Sequence, residues 1–222
     1  RGLGDVYKRQ LDDILINASG EETGGYNAGA TYLVLGASIG ATGDIDLSKA
    51  DYSFIGENRD DQSGTSVSIV EDVDGDGLDD IIIGAPYEDS GASASGTAYL
   101  ILGSSLDSPA EIDLSSADYK FIGEGFNEWA GCSNTSAGDV DGDGLGDLLI
   151  GACLEDSGGR DAGATYLVLG ASIGSSRRIG LANADYKFIG EDAGSWSGHV
   201  ISSAGDVDGD GLDDILIGAR DE

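Results

Sequence analysis

The sequence is poor in the residues that most catalytic sites require. Its 222 residues include 1 histidine, 2 cysteines, 2 prolines and no methionine. A lone histidine without an evident partner is more often a surface or packing residue than a catalyst, and no phosphate-binding P-loop motif occurs in the chain. We therefore predict that this chain is not an enzyme and that it has no catalytic residues.

Basic residues are also scarce. The chain has 11 lysines and arginines against 42 aspartates and glutamates, which gives a formal net charge of -31. Such a chain repels nucleic acid phosphates and anionic lipid headgroups, so we exclude nucleic acid as a partner and favour cations. No apolar run reaches the roughly 18 to 20 residues of a membrane helix, and we predict no direct membrane insertion of this segment.

Glycine is abundant, and identical motifs recur at a fixed spacing. The 38 glycines are typical of many tight turns between short segments. Three sets of anchor residues share one repeat of 67 residues, counted from Leu11 to Leu78. The anchors are Leu11, Leu78, Leu145 and Leu212, then Tyr32, Tyr99 and Tyr166, and then Phe54, Phe121 and Phe188. Because both ends fall inside a repeat and methionine is absent, we expect the chain to be an internal piece of a longer protein.

Each repeat contains four strand-length segments. In one repeat they begin at Thr65, Asp80, Gly96 and Asp118, and they are rich in β-branched, leucine and aromatic residues. Two of the four are apolar on both faces, which indicates sheets on either side. We predict an all-β fold of four-stranded antiparallel blades, as in a β-propeller, since a β-solenoid normally has a shorter repeat. The predicted units are a partial blade at 11–57, whole blades at 58–124 and 125–191, and a partial blade at 192–222.

An acidic loop precedes the second segment of each repeat. In the first intact copy Asp72, Asp74 and Asp76 occupy positions one, three and five, Leu78 can offer a carbonyl at position seven, and Asp80 is at position nine. Alternate carboxylates on a tightly wound loop converge on one point, and a glycine at position six permits the sharp turn. The other two copies place the same ligand candidates at Asp139, Asp141, Asp143, Leu145 and Asp147, and at Asp206, Asp208, Asp210, Leu212 and Asp214.

Positions eight and twelve refine this prediction. Position eight is Asp79, Gly146 or Asp213, so we exclude it from the ligands. Position twelve is a bidentate glutamate in an EF-hand, but it is isoleucine in all three copies and lies inside an apolar segment. We therefore predict that each loop lies in a β-hairpin.

The oxygen-only donors predict three calcium sites with a mainly structural role. Magnesium prefers small octahedral sites with retained water, and transition metals favour softer ligands. The alternative is a series of Asx turns without a metal. Four carboxylates within nine residues repel one another unless a cation lies between them, which favours calcium.

The run DVDGDGLDDIIIGAP, from Asp72 to Pro86, resembles the FG-GAP repeat of integrin α-subunits. The resemblance covers Leu11 to Glu222. It implies a seven-bladed β-propeller with calcium loops on one face, between the first and second strands of a blade, and partner binding often on the opposite face. Seven units exceed this chain, so the resemblance implies part of a ring; closure of four blades from the two partial ends is the alternative.

The chain also departs from that family. Where the family often has the phenylalanine of FG, this chain has Ser63, Ala130 and Ser197. In residues 1–10, Tyr7 and Arg9 replace two acids and Gln10 replaces the glycine of the loop. We predict no calcium in that copy and interpret residues 1–10 as an atypical or a non-native segment.

Two cysteines and two tryptophans complete the notable residues. Cys132 and Cys153 occur in one repeat only and lie symmetrically about the 139–147 loop, so a regular hairpin sets them opposite each other. Both a disulfide and two unpaired buried thiols fit this placement. Trp129 and Trp196 hold matching positions and are predicted to pack between blades, with carbohydrate stacking as the alternative.

These features together predict a calcium-binding module, extracellular or at the cell surface, that acts in adhesion or in binding a protein or glycan partner. Two alternatives stay open. One is the non-catalytic propeller portion of a secreted, phospholipase-like hydrolase. The other is a structural repeat that serves as a spacer in a surface protein.

Overall fold

The chain folds into short β-strands joined by turns. The computed structural model describes residues 12–39, 43–106, 108 and 110–220, and within them the regular elements are strands and three-residue 3-10 helices. The strands are β1 (Ile14–Ala18), β2 (Ala30–Val34), β3 (Tyr52–Ile55), β4 (Ser66–Val70), β5 (Asp80–Ala85), β6 (Thr97–Ile101), β7 (Ala110–Asp113), β8 (Tyr119–Ile122), β9 (Ala130–Gly138), β10 (Asp147–Ala152), β11 (Ala164–Val168), β12 (Arg178–Gly180), β13 (Tyr186–Ile189), β14 (Val200–Gly205) and β15 (Asp214–Gly218). The 3-10 helices are Gly36–Ser38, Leu47–Lys49, Gly103–Ser105, Leu114–Ser116, Gly170–Ser172 and Leu181–Asn183. The all-β prediction is confirmed, whereas the prediction for residues 1–10 lies outside the described residues.

Successive repeats form successive sheets. The second and third repeats each supply four antiparallel strands, in the orders β4-β5-β6-β8 and β9-β10-β11-β13. The first repeat supplies β1, β2 and β3, and the last repeat supplies the hairpin β14-β15. The four segments predicted in each repeat are therefore the four strands of a propeller blade.

The repeats also share one strand register. A tyrosine of the third strand lies opposite an isoleucine of the second strand in three blades, and the pairs are Tyr32 with Ile16, Tyr99 with Ile83, and Tyr166 with Ile150. Because a shift of one residue would turn each side chain to the other face of the sheet, this identity keeps equivalent side chains in equivalent surroundings.

In two of the sheets the outer edge is formed by an additional strand from the following repeat, which the sequence prediction of four strands per blade missed. β7 pairs in parallel with β3 of the preceding blade, and β12 pairs in parallel with β8. Ile112 lies opposite Phe54 in the first case, and Ile179 lies opposite Phe121 in the second. The second and third repeats thus each contribute one strand to the outer edge of the preceding blade.

The core lies between neighbouring sheets. Between the second and third blades, Ile82, Leu100 and Phe121 pack in one cluster with Leu148 and Ile150, all of them fully buried. A second cluster fills the gap between the first and second blades in the same way. Each such side chain contributes roughly 1.5 to 3 kcal/mol when it leaves water. The prediction of segments buried on both faces is therefore confirmed.

Glycine in the second strand lets adjacent blades approach closely. A Cβ atom added to Gly84 would lie 2.0 Å from the Gly131 carbonyl oxygen of the next blade. The equivalent Gly151 has the same relation to Gly198, at 2.2 Å. No larger residue fits at these two positions unless the backbone moves.

The third blade contains a disulfide. Cys132 of β9 is bonded to Cys153, which follows β10, and their Cα atoms are 6.3 Å apart. Of the two arrangements left open by the sequence, the structure contains the disulfide. It links the first two strands of the blade close to the end opposite their acidic loop.

Candidate metal centres

Each acidic loop connects the first and second strands of a blade. In the second blade β4 ends at Val70 and β5 begins at Asp80, and these two residues pair across the hairpin. Ile83, at position twelve of the loop, is fully buried in β5. The predicted hairpin setting is correct, and the strands on both sides distinguish the loop from an EF-hand.

Backbone N–H groups of the loop bind the first aspartate. The Asp72 carboxylate accepts hydrogen bonds from Gly75 at 2.7 Å, Asp76 at 3.0 Å and Gly77 at 2.7 Å. Burial opposes ionisation, but these N–H donors outweigh it and lower the pKa of the Asp72 carboxyl. Gly77 adopts a φ of +87°, which is the left-handed conformation that the tight turn requires.

Asp80, at the ninth position, is bound both by the loop and by a turn elsewhere in the blade. The Asp80 carboxylate is fully buried and accepts hydrogen bonds from Val73 at 3.0 Å and from Gly103 at 2.8 Å. Burial raises the pKa of this carboxyl to about 6. Asp80 therefore joins the loop to the start of β5 and to the turn that follows β6.

Three carboxylates converge in each loop. One oxygen from each of Asp72, Asp74 and Asp80 lies within 4.8 Å of the other two. In the second loop the converging residues are Asp139, Asp141 and Asp147, and in the third they are Asp206, Asp208 and Asp210. The hydrogen bonds of the first loop recur in the other two, from equivalent donors. The backbones of the three loops are thus built alike, but the third triad contains the aspartate of position five where the first two contain that of position nine.

Some predicted ligands are not part of these triads. The Asp76 carboxylate accepts a hydrogen bond from Leu78 N at 2.8 Å, and Asp143 is engaged in the same way by Leu145 N. In the third loop Asp214 accepts from Val207 N at 2.8 Å and lies outside the triad. Asp210 accepts the same bond from Leu212 N and still belongs to the third triad, so this bond does not exclude ligation. Ligation stays a prediction for every candidate residue of the three loops.

The donor set fits a hard cation. All converging atoms are carboxylate oxygens, the ligands that calcium prefers in proteins. Burial, together with the neighbouring charges of Asp76 and Asp72, raises the pKa of the Asp74 carboxyl. The hydrogen bonds expected for a series of Asx turns without a metal are present. One oxygen from each of three carboxylates is nevertheless directed at a common point. A bound cation would relieve the repulsion among them.

Aromatic residues cluster at the opposite end of the strands. The Trp129 and Trp196 rings pack edge to face with centroids 6.3 Å apart, and Tyr87 lies 5.0 Å from Trp129. His199 and the Arg220 guanidinium both lie against Trp196, at 6.1 and 5.1 Å. The prediction that the tryptophans pack between blades is confirmed, and their role in carbohydrate stacking stays a prediction.

Sequence reasoning missed an ion-pair cluster between blades. Lys120 pairs with Glu57 of the preceding repeat and lies over the Tyr99 ring at 5.1 Å. Glu88, almost fully buried, accepts a hydrogen bond from the Thr97 hydroxyl nearby. One repeat later the equivalent residues are Lys187, Glu124, Tyr166 and Glu155, and Lys187 pairs with both glutamates at 3.0 Å. The spacing of 67 residues was the available signal, since each member recurs at that interval.

Sequence reasoning also missed a serine motif. Segments 36–40 and 170–174 both match the G-x-S-x-G spacing of a nucleophile elbow. Ser38 and Ser172 lie in 3-10 helices, and their hydroxyls donate to Asp51 and Asp185 at 2.8 and 2.7 Å. His199, by contrast, packs on Trp196. Among the described residues these serines form no hydrogen bond to histidine, and the aspartate that each contacts also accepts the backbone N–H of the residue before the 3-10 helix.

Comparison with known proteins relates the chain to one repeat family. A family model described as FG-GAP repeat matches residues 63–101, 133–168 and 198–222. The rat phosphatidylinositol-glycan-specific phospholipase D is 30% identical over 210 residues, which are 89% of this chain and 23% of the relative. The fruit-fly integrin alpha-PS2 is 32% identical over 156 residues, 67% of this chain and 11% of the relative. Integrin alpha-5 of Xenopus laevis is 30% identical over 176 residues, 76% of this chain and 16% of the relative.

The chain spans less than a quarter of the length of these curated relatives. Among the residues that the structure describes, no helix has both the length and the apolar character to cross a membrane.

Proposed function

Because this chain is built of FG-GAP repeats that form β-propeller blades, we propose that it is a calcium-binding module of an extracellular propeller that acts in adhesion or in binding a protein or glycan. The observation that carries the proposal is the convergence of three carboxylates in each of three equivalent loops. The disulfide between Cys132 and Cys153 supports an oxidising, extracellular location. The similarity to integrin α-subunits supports adhesion.

In this proposal calcium has a structural role. The triad residues Asp72, Asp74 and Asp80 belong to the loop and to the first residue of β5, so an ion held by them fixes the hairpin. At millimolar extracellular calcium and a dissociation constant of about 0.1 to 1 mM, each site contributes about 0.4 to 1.5 kcal/mol to folding. The three contributions add only if the sites are independent.

Partner binding is assigned to the opposite end of the strands. Tyr87 follows β5 and Trp129 follows β8, so both lie away from the acidic loops. Their rings and that of Trp196 are partly exposed, and aromatic rings of this kind contribute large contact areas to interfaces. We propose that the turns carrying Tyr87, Trp129 and Trp196 contact the protein or glycan partner.

The alternative is the non-catalytic propeller portion of a secreted hydrolase. It is favoured by the match to phosphatidylinositol-glycan-specific phospholipase D, which extends over 89% of this chain. On this alternative the calcium loops have the same structural role and the partner surface contacts a catalytic domain of the same protein. A spacer role requires the calcium loops but no partner.

Calorimetric titration of the chain with calcium tests the metal sites. We expect three calcium ions per chain, and two per chain for each of the variants Asp74→Ala, Asp141→Ala and Asp208→Ala. Titration with magnesium is the control for a generally acidic surface. Heat of binding that is absent with calcium, or equal for both ions, contradicts the assignment.

Binding of the complete propeller to arrays of glycans and matrix proteins tests the partner. We expect calcium-dependent binding that decreases when Trp129 is replaced by alanine. Binding to no array member disfavours adhesion and supports the spacer role, whereas a catalytic domain encoded beside these repeats supports the hydrolase alternative.

A further inference from the structure

The three acidic loops are in direct contact with one another. The Gly146 N–H of the second loop donates to the Asp72 carbonyl of the first loop at 2.7 Å. The Asp213 N–H of the third loop donates in the same way to the Asp139 carbonyl of the second loop at 3.1 Å. In both cases position eight of one loop binds the backbone of position one in the loop before it.

The donating N–H belongs to the same peptide unit as a predicted ligand. The carbonyl of Leu145 at position seven and the N–H of Gly146 at position eight are parts of one planar amide. A cation bound at that carbonyl would polarise the amide and strengthen its N–H as a donor. The acceptor is the backbone of Asp72, whose carboxylate is a member of the preceding triad. The amide between Leu145 and Gly146 would therefore contact the ion of its own loop through the carbonyl and the first ligand of the preceding loop through the N–H.

Side chains also pack across these junctions. A Cβ atom added to Gly75 of the first loop would lie 3.3 Å from Leu145 Cδ2 of the second. Gly142 and Leu212 have the same relation at the next junction, at 3.0 Å. The leucine at position seven therefore packs on the turn of the preceding loop.

The two junctions differ in one respect. At the second junction the Asp213 carboxylate accepts a hydrogen bond from Asp139 N at 3.0 Å, and Gly138 leaves room for this carboxylate. At the first junction position eight is Gly146, which lies against Glu71 and has no side chain that could accept such a hydrogen bond. Position one is thus bound through both its N–H and its carbonyl at the second junction, but through its carbonyl alone at the first.

We propose that Gly146 and Asp213 are positioning residues that couple adjacent calcium sites, so that occupation of either loop raises the calcium affinity of its neighbour. The coupling is stronger between the second and third loops, where Asp213 contributes its side chain as well as its backbone. This inference rests on the proposed calcium binding. Neither residue needs to touch the ion, since each acts through the first ligand of a neighbouring loop.

Calcium titration of paired variants tests the coupling. Asp74→Ala leaves the second and third sites, and Asp74→Ala with Asp208→Ala leaves the second site alone. We expect the second site to bind calcium about fivefold or more tightly when the third is intact, with a Hill coefficient above 1 for the pair. Equal affinity of the second site in the two variants overturns the coupling and leaves calcium binding intact, whereas no calcium uptake at all overturns both proposals.

Asp213→Ala in the Asp74→Ala background tests the side chain. We expect the Hill coefficient to decrease toward 1 although every ligand of both sites is retained. Asp213→Asn keeps an oxygen acceptor and is expected to restore most of the coupling, which a general loss of stability would not do. An unchanged Hill coefficient in Asp213→Ala overturns the role of this side chain. If that variant does not fold, the comparison of paired variants still decides the coupling.

Discussion

Lys120 of the second blade forms an ion pair with Glu57 of the first, and the exposed fractions of the two side chains are only 9% and 14%. The lysine lies on β8, the strand that also carries Phe121 into the core between the second and third blades. A charged contact is therefore built into the packing of one blade on the next. The contribution of this ion pair to the free energy of unfolding depends on how completely both side chains are buried.

Replacement of Lys120 by methionine is expected to destabilise the chain by about 3 kcal/mol, because the carboxylate of Glu57 would be left buried without its partner. The matched control is Lys187→Met one repeat later, where the lysine side chain is 24% exposed. There Glu124 is 30% exposed, and Glu155, although only 5% exposed, still accepts hydrogen bonds from Ser157, so we expect that change to cost about 1 kcal/mol. Urea denaturation of both variants measures the difference, and equal losses would contradict the role given to burial.

The stability of the chain is expected to depend on Asp61 through pH. This carboxylate is 4% exposed, and burial raises its pKa to about 6. Because the folded state binds the proton more tightly than the unfolded state, the stability is expected to fall between about pH 4 and pH 6, with the full loss reached above pH 6 and none well below pH 4.

Asp61→Asn should therefore be about 1 to 2 kcal/mol more stable than the parent chain at pH 8, and the gap should close at pH 4. Asp60→Asn, at the exposed neighbouring position, is the control and should show no such dependence. Melting curves across this pH range provide the measurement. A gap that stays constant with pH would contradict the prediction.

Chelation of calcium is expected to lower the melting temperature. With a contribution of about 0.4 to 1.5 kcal/mol per site and a shift of about 2 to 4 °C per kcal/mol, each lost site lowers it by about 1 to 6 °C. Asp74→Ala should remove one such increment, whereas Asp79→Asn, at the exposed position eight, should remove none. The same melting temperature with and without chelator would indicate that the loops fold without an ion.

The strand β12, which the third repeat contributes to the second blade, gives a further prediction. Ile179→Asp places a charge where the isoleucine packs against the core of the second and third blades, and it is expected to cost about 1 to 3 kcal/mol. The control is Ile45→Asp, since Ile45 is the equivalent residue of the first repeat and is 50% exposed. Denaturant unfolding of the two variants should differ clearly, and similar small losses would show that β12 adds little stability.

Much of this architecture could be predicted because the signal was local and repeated. Ile83, Ile150 and Ile217 at position twelve place the loops in hairpins, and the recurrence of Tyr99 at 67 residues fixes the size of the blade. The symmetry of Cys132 and Cys153 about one loop set them opposite each other but left a disulfide and two thiols open, and the structure contains the disulfide. In each case the residues that carry the information lie within one hairpin or at the repeat interval.

The parts that were missed depend on contacts between repeats. β7 and β12 have four and three residues with one packed isoleucine each, which is too short a pattern to indicate a strand. The partner of Lys120 is in another blade.

The pairing of β12 with the preceding blade also limits how such repeats can be exchanged. A segment such as 125–191, transplanted into another array, would bring β12 to whichever blade precedes it. Ile179 would then have to match the outer strand of that recipient, as it matches Phe121 here. Recombination among repeats of this kind is therefore constrained by the fit between neighbours, and a substitution in β8 sets which following repeat the blade can accept.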